Sequence, residues 1–379
     1  MTRSSSPHAI VVGGSLGGLL AATTLRAAGW SVDVFERSPS ALDSRGGGIV
    51  LQPDVLAAFR FAGVAQGAVL GVRSADRMYL DASDRVVHRT YMPQVQTSWN
   101  LLHGAMHAAL PPGTVHAGER LVSFRETAGS VMALFESGRV ESADLLVGAD
   151  GSRSTVRGQL LPGHDPRYAG YVAWRGLVPE SKVPGSVADR LGDAFVFQQG
   201  RDHLLLEYLV PGEDGSLAEG VRRRNWVWYR RLDREGLARL LTARDGSTHA
   251  LALPPGMAKE GDVAALRRDA QALLAPSLQA LVLATEAPFV QAIVDLGVPR
   301  MRFGATVLIG DAAFVPRPHT AGSTAKAAAN ALSLAQALRV DAREPVDRLA
   351  RWEAEQLASG RAMSAAGIDM GNRIMGTGA

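Results

Sequence analysis

Apolar positions change their period several times along the chain, and those changes outline its elements. Residues 8–12, HAIVV, form a short continuous apolar run, the pattern of a strand buried on both faces. The run leads into a glycine cluster at 13–18 and then into apolar residues at helical spacing over 19–28, stopped by Gly29. SVDVFE, residues 31–36, alternates like a second strand and ends in Glu36. Two further apolar runs also end in an acid: ADLLVGAD closes on Asp150, and TVLIGD closes on Asp311. An Ala-rich helix is expected over 320–338 and more helix over 343–374.

Between these segments lies a glycine-rich loop from Arg45 to Pro53, followed by a helix over 54–61. Residues 73–95 read as strands with turns at 82–84 and at Pro93, 101–110 as a helix, and 131–141 as a hairpin. From 168 to about 231 the pattern is strand-rich (YVAWRGLV, AFVFQQ, HLLLEYLV, NWVWYRRL), and 234–283 reads as helical. The pattern therefore predicts a mixed α/β fold. A Rossmann-like nucleotide-binding domain is assembled from 1–72, 97–167 and 285–379, and a β-sheet substrate domain from 73–96 and 168–284 is inserted in it.

At 379 residues, with 46% hydrophobic and 20% charged positions, the chain has enough apolar surface for a sizeable core. A net charge of +3 gives little support to nucleic-acid binding. The absence of cysteine excludes disulfides, thiolate nucleophiles and Cys-based metal sites, and suits a cytoplasmic location. No apolar run reaches the length of a membrane span. Arg3 ahead of an apolar stretch resembles a signal peptide, but the glycine spacing and the strand that follows favour a βαβ unit.

In that unit, Gly13-Gly14-Ser15-Leu16-Gly17-Gly18 is an imperfect G-x-G-x-x-G, with Ser15 at the second glycine. Gly13 permits the tight turn, a small residue at 15 lets backbone N–H groups approach a pyrophosphate, and Gly18 lets the helix pack on the strand. Glu36 is placed to accept hydrogen bonds from ribose hydroxyls. The same letters also match the G-x-S-x-G elbow of serine hydrolases, and Ser323-Thr324-Ala325-Lys326 matches S-x-x-K, so a serine hydrolase stays open as a rival. Asp150 and Ser154 have a plainer reading as helix caps. His103 and His107 share a helix face but lack the third ligand and the glutamate of a zinc motif, so no metal site is expected. RRRNWVWYRR alternates like a strand, with Trp226 and Trp228 on one face.

Taken in order, the glycine fingerprint, GADGSRSTVR and LIGDAAFVPRPH resemble the class A FAD-dependent aromatic hydroxylases of the para-hydroxybenzoate hydroxylase type, across essentially the whole chain. VVGGS, FERSP, GIVLQP, YAGYVAWRG and GDAAFVPRPH…AK are similar to the hydroxypyridine hydroxylases within that family. The resemblance implies a glutathione-reductase-type FAD domain, NADH or NADPH as co-substrate, and O2. The implied reaction is ring hydroxylation through a flavin C4a-hydroperoxide. It places Gly13, Ser15, Leu16, Glu36, Asp150 and Gly151 on the adenosine diphosphate half of FAD, and counts Arg37, Gly48, Ile49, Val50 and Val122 among the cofactor-binding residues. Asp311, Pro318 and the turn Ala321, Gly322, Ser323, Thr324, Ala325 fall on the flavin half. Phe314 stands where many members have His, Ala321 to Ala325 depart from the usual flavin-loop residues, and Trp99 stands where many have Arg.

The substrate side is expected from the β-rich insertion. His203 and Tyr208 lie five positions apart on one strand and so point to opposite faces. Tyr208 is favoured as the catalytic group, His319 comes second, and Arg175 or Arg317 is a candidate anchor for an anionic substrate. A flavoprotein dehydrogenase or reductase without oxygen insertion is the main alternative. The oligomeric state stays open, with a homodimer among the options.

Overall fold

The computed structural model describes residues 6–39, 47–127, 129–339 and 345–376. The start of the loop expected from Arg45, and of the helix expected from 343, lie outside the described residues.

The acid-ended apolar runs lie in one sheet with the first strand. His8–Val12 pairs in parallel with Ser31–Glu36 on one side and with Leu145–Gly148 on the other, and Thr306–Leu308 pairs in parallel with Leu145–Gly148. Val115–Ala117 and Arg302–Phe303 complete this six-stranded sheet at its two edges. The central strands are almost wholly buried, which is why their sequences are continuous rather than alternating. Helices Leu16–Ala27 and Ser323–Ala337 pack on each other over the sheet. A small three-stranded sheet, Leu121–Thr127, Ser130–Phe135 and Val140–Ala143, joins the same core, with Phe35 stacked on Phe135 at 4.2 Å.

The glycine fingerprint is a packing requirement here. Gly13 has φ of +110°, and a Cβ on it would meet the Ala149 carbonyl at the end of the neighbouring strand. A Cβ on Gly18 would overlap the Gly13 carbonyl. The helix begins at Leu16 rather than at 19, so the second half of the cluster forms its first turn. Similarly, the Ala-rich helix begins at Ser323, because Pro318–Thr320 forms a 3₁₀ turn and Ala321 sits at φ +50°.

The β-rich middle forms a ten-stranded sheet, largely antiparallel, at whose centre lie Arg167–Pro179, Arg223–Arg231 and His203–Val210. Phe289–Gly297, grouped by the sequence with the nucleotide-binding segments, pairs with Arg167–Pro179 in this sheet, and Gly48–Val50 closes its far edge. Pro93 makes no turn. It lies within the strand Val86–Ser98 beside a register shift, where its missing N–H costs no ladder bond. The helical stretch expected over 234–283 divides into Arg234–Leu240, Glu260–Leu273 and Pro276–Ala284, with Pro254, Pro255 and Pro276 at the breaks.

Period-two alternation gives this sheet two different faces. One carries Trp174, Trp226 and Trp228, buried in a core with the helices that follow. His203 is on that face, accepting from Trp228 Nε1 at 3.2 Å. Glu207 is there too, fully buried and paired at 3.2 Å with Arg224, which is 1% exposed. Burial pushes the Glu207 carboxyl up to about 7, against the pull of Arg224. Breaking such a pair from one side strands a charge. Glu207→Ala is expected to lose about 3–5 kcal/mol in urea unfolding. The double change Glu207→Leu with Arg224→Met should recover most of it, because no unpaired charge remains.

Candidate active site

Because the central strands of the six-stranded sheet are parallel and in register (Val12 beside Gly148, Gly148 beside Leu308), their carboxyl ends lie along one edge. Open α/β sheets bind ligands at that edge. Two cavities lie there.

The cavity at the glycine fingerprint is about 280 Å3 and is lined by Gly13, Ser15, Glu36, Arg37, Asp150 and Gly151, with Arg120 and Arg153 adding positive charge. The helix Leu16–Ala27 starts without a side-chain cap, which leaves its N-terminal N–H groups available to a phosphate. One Glu36 oxygen accepts from Gly14 N at 2.8 Å and the other from Ser38 N at 2.9 Å. Each oxygen keeps a lone pair for a ribose hydroxyl. Leu16 is buried in the core, so it can offer only its backbone. Val122 is 52% exposed and lies outside the wall, because Leu121 takes the inward position of that strand.

Asp150 caps a helix as well as lining the cavity. It accepts from Thr155 N at 2.6 Å and from Ser154 Oγ at 2.5 Å. Arg157, quoted within the motif but given no role from sequence, turns out to connect two motifs. It is 2% exposed and donates to the carbonyls of Ser152 at 2.7 Å and Ala312 at 3.1 Å. It therefore ties the Asp-Gly turn to the Gly-Asp turn.

The other cavity, about 290 Å3, lies between the Gly-Asp turn and the second face of the large sheet. Asp311, Pro318 and the turn Ala321, Gly322, Ser323 and Thr324 form one wall, and Gly48, Ile49 and Val50 line it as well. Ala325 is buried behind the wall. The helix Ser323–Ala337 has Gly322 as its N-cap and no side-chain cap bond, so its N–H groups stay available at the wall. Asp311 is held by Lys326 Nζ at 3.2 Å, and the same ammonium donates to the Phe314 carbonyl. Lys326 is 3% exposed, and burial lowers its pKa against the pull of Asp311. The S-x-x-K lysine is thus engaged with a carboxylate and a carbonyl. The Gly310 N–H is fixed by Asn330 Oδ1 at 3.0 Å.

From the large sheet come Arg175, Leu206, Tyr208, Val227 and Tyr229, on the face opposite the tryptophans. Tyr208 packs on Gly48, where any Cβ would overlap its ring. Burial raises the Tyr208 phenol well above its ordinary pKa and pushes Tyr229 up to about 12. Tyr229 and Asn225 were missed from sequence. The alternation that set Trp226 and Trp228 apart could have found them, since it puts Asn225, Val227 and Tyr229 on the cavity side.

His319 lies outside the cavity wall. Its Nε2 hydrogen-bonds Tyr171 Oη at 2.9 Å, and its ring meets Tyr229 edge-on at 4.6 Å. Burial and the nearby Arg317 lower its pKa to about 4, so it is neutral at pH 7. Arg317 is no anchor for a ligand, because Asp295 takes its Nε and Nη2, both at 2.8 Å, and Asn372 takes Nη1 at 2.9 Å. His103 hydrogen-bonds the Gly14 carbonyl at 3.1 Å and stacks on Trp99 at 4.3 Å.

A largely parallel sheet with one glycine fingerprint at its carboxyl edge, and a cavity between that edge and a large, mainly antiparallel sheet, defines the architecture of an FAD-binding hydroxylase. A family described as FAD binding domain-like matches residues 168–295. The chain is 34% identical over 359 residues to 2,6-dihydroxypyridine 3-monooxygenase of Paenarthrobacter nicotinovorans, covering 93% of this chain and 87% of the relative. It is 28% identical to 6-hydroxynicotinate 3-monooxygenase of Pseudomonas fluorescens over 89% of this chain and 83% of that protein. The solved structure of 2,6-dihydroxypyridine-3-hydroxylase from Arthrobacter nicotinovorans superposes with a TM-score of 0.91 at 32% identity, covering 99% of this chain and 94% of that one. The chain belongs to the class A FAD-dependent aromatic hydroxylases and is a flavoprotein monooxygenase.

Two outcomes follow from these contacts. Lys326→Met should weaken FAD retention about tenfold or more, because Asp311 loses its only charged partner among the described residues; fluorescence titration of the apoprotein with FAD measures this. His319 takes up a proton near pH 6.5 when unfolded but only near pH 4 when folded. As pH falls through that window the unfolded chain binds the proton first, so its contribution to stability declines by on the order of 3 kcal/mol. Denaturation midpoints from pH 7 to 4 should show this slope, and His319→Gln should flatten it.

Proposed function

We propose that this enzyme hydroxylates an electron-rich N-heteroaromatic ring, a hydroxypyridine, using FAD, NAD(P)H and O2. The observation that carries the reading is the 290 Å3 cavity. One wall is the Gly-Asp turn with an uncapped helix N-terminus, and the other is a sheet face bearing two tyrosines and an arginine. The hydroxypyridine substrates named for the two relatives support the ring class.

In this reading the segments 1–72, 97–167 and 285–379 hold FAD, though Gly48–Val50 and Phe289–Gly297 within them are strands of the large sheet. Gly13, Ser15, Glu36, Arg37, Asp150 and Gly151 hold the adenosine diphosphate half. Asp311 would accept a hydrogen bond from the ribityl chain, and the N–H groups at Gly322 to Thr324 would stabilise negative charge on the flavin ring system. Bound FAD supplies the two-electron chemistry that activates O2. The chain's own residues position the ring and keep water out.

Tyr208 is the group we assign to the substrate hydroxyl. Its raised pKa keeps it protonated at neutral pH, so it serves as a hydrogen-bond donor to a ring oxygen and not as the base. No described residue hydrogen-bonds its hydroxyl. Leu206 and Val227 give the apolar contact a flat ring needs. We place the enzyme in the cytoplasm, where NAD(P)H is available. No helix among the described residues is long and apolar enough to cross a membrane.

The test is oxygen-isotope incorporation. Purified protein reconstituted with FAD is supplied with NAD(P)H, a hydroxypyridine panel and labelled O2. One labelled oxygen atom in the product ring is expected. NAD(P)H oxidation that yields only peroxide with every ring would overturn the assignment and favour an oxidase or reductase.

A further inference from the structure

We propose that Arg175 makes this site selective for substrates bound as anions. It would bind the ring's deprotonated oxygen or a carboxylate on the ring. The inference rests on the hydroxypyridine reading above and adds the ionisation state of the substrate and the residue that selects it.

Arg175 stands in the middle of the strand Arg167–Pro179 and lines the cavity wall. Among the described residues no carboxylate pairs with it, and its Nε is buried without a hydrogen-bond partner. Most of the inward-facing arginines near the two sheets are engaged. Arg317 is saturated by Asp295 and Asn372, Arg157 is held by three carbonyls, and Arg224, whose Nε is also buried without a partner, has its charge matched by Glu207 and its Nη2 held by two carbonyls. A guanidinium left without a partner in a largely desolvated wall is costly unless a ligand completes it.

The surroundings of Arg175 are also rich in donors. Asn225 is fully buried, and its Oδ1 accepts from Gly48 N at 2.8 Å. That bond fixes which end of the amide is oxygen, since a backbone N–H can bond only to the acceptor. The Asn225 NH2 is then left buried and unpartnered, and its Oδ1 and the Arg175 Nη1 both lie beside Gly47. Tyr208 and Tyr229 lie within electrostatic reach of Arg175 and face the same cavity. Asp311 is the carboxylate in the wall, but Lys326 matches its charge. The cavity therefore carries one uncompensated positive charge, on the face where the substrate ring would lie. An arginine there stabilises the ionised form of a hydroxylated ring, which is also the more nucleophilic form, and its planar fork suits a ring oxygen or a carboxylate.

The experiment uses the FAD-loaded protein and reads dissociation constants from the perturbation of the flavin absorption spectrum. The probes are 2,6-dihydroxypyridine, its neutral dimethyl ether 2,6-dimethoxypyridine, and 6-hydroxynicotinate. The proteins are the wild type, Arg175→Lys and Arg175→Met, each first shown to retain FAD and its melting temperature. The wild type should prefer the ionisable probes over the ether by about tenfold or more. Arg175→Met should lose about thirtyfold on the ionisable probes and stay within about twofold on the ether, with Arg175→Lys in between. A loss confined to 6-hydroxynicotinate would identify the carboxylate as the partner, and a loss on both probes the ring oxygen. Unchanged discrimination in Arg175→Met, or equal affinity of the wild type for the ether and for both ionisable probes, would overturn this proposal and leave the hydroxypyridine reading standing. If none of the three rings perturbs the flavin of the wild type, the hydroxypyridine reading itself fails and this proposal fails with it.

Discussion

The whole arrangement depends on the parallel register of three short strands. His8–Val12, Leu145–Gly148 and Thr306–Leu308 lie far apart along the chain, yet each hydrogen-bonds in step with the next. A parallel register forces every strand to present the same end to the same edge. Each of the three sequence motifs begins where its strand stops, so register alone brings a glycine turn and two acid-bearing turns into one row. Register does not fix the distance between the turns. Arg157 does that, by drawing the carbonyls of residues 152 and 312 onto one buried guanidinium.

The site was legible where the physics is local. A continuous apolar run, a glycine turn and a following helix occupy neighbouring positions, so period and punctuation reveal them. Glu36 and the two acid-ended strands could be placed for the same reason. Helix starts were misjudged by three residues at Leu16 and Ser323, because the turn and the first helical turn share the same small residues. The Pro93 turn was misread because proline's meaning depends on whether the partner strand asks for its N–H, which is settled across a bulge and not along the chain.

What could not be read was which charged groups are already engaged. From sequence, Arg175 and Arg317 were equivalent candidates. The difference between them is that Asp295, on a strand 22 residues before Arg317, reaches Arg317 and leaves Arg175 alone. The same holds for Lys326, whose short motif with Ser323 pointed toward nucleophilic chemistry while its ammonium serves Asp311. His319 looked catalytic from its place beside the turn Ala321 to Ala325, but its ring hydrogen-bonds Tyr171. Such pairings are tertiary facts with no periodic signature.

The large sheet shows how a two-residue period separates packing from chemistry. Trp226 and Trp228 are each flanked by residues that face the other way, so the strand that anchors a core on one side builds a cavity wall on the other. A slip of one residue would send the indoles into the cavity and Asn225 and Tyr229 into the core. The buried Glu207–Arg224 pair lies on the tryptophan face, next in sequence to Tyr208 and Asn225 respectively. A register error there would separate a charge pair in a low-dielectric core and displace two residues on the cavity side at once. The ion pair is therefore better understood as a register lock than as a source of stability, because an apolar pair of similar volume would pack as well but would tolerate the slip.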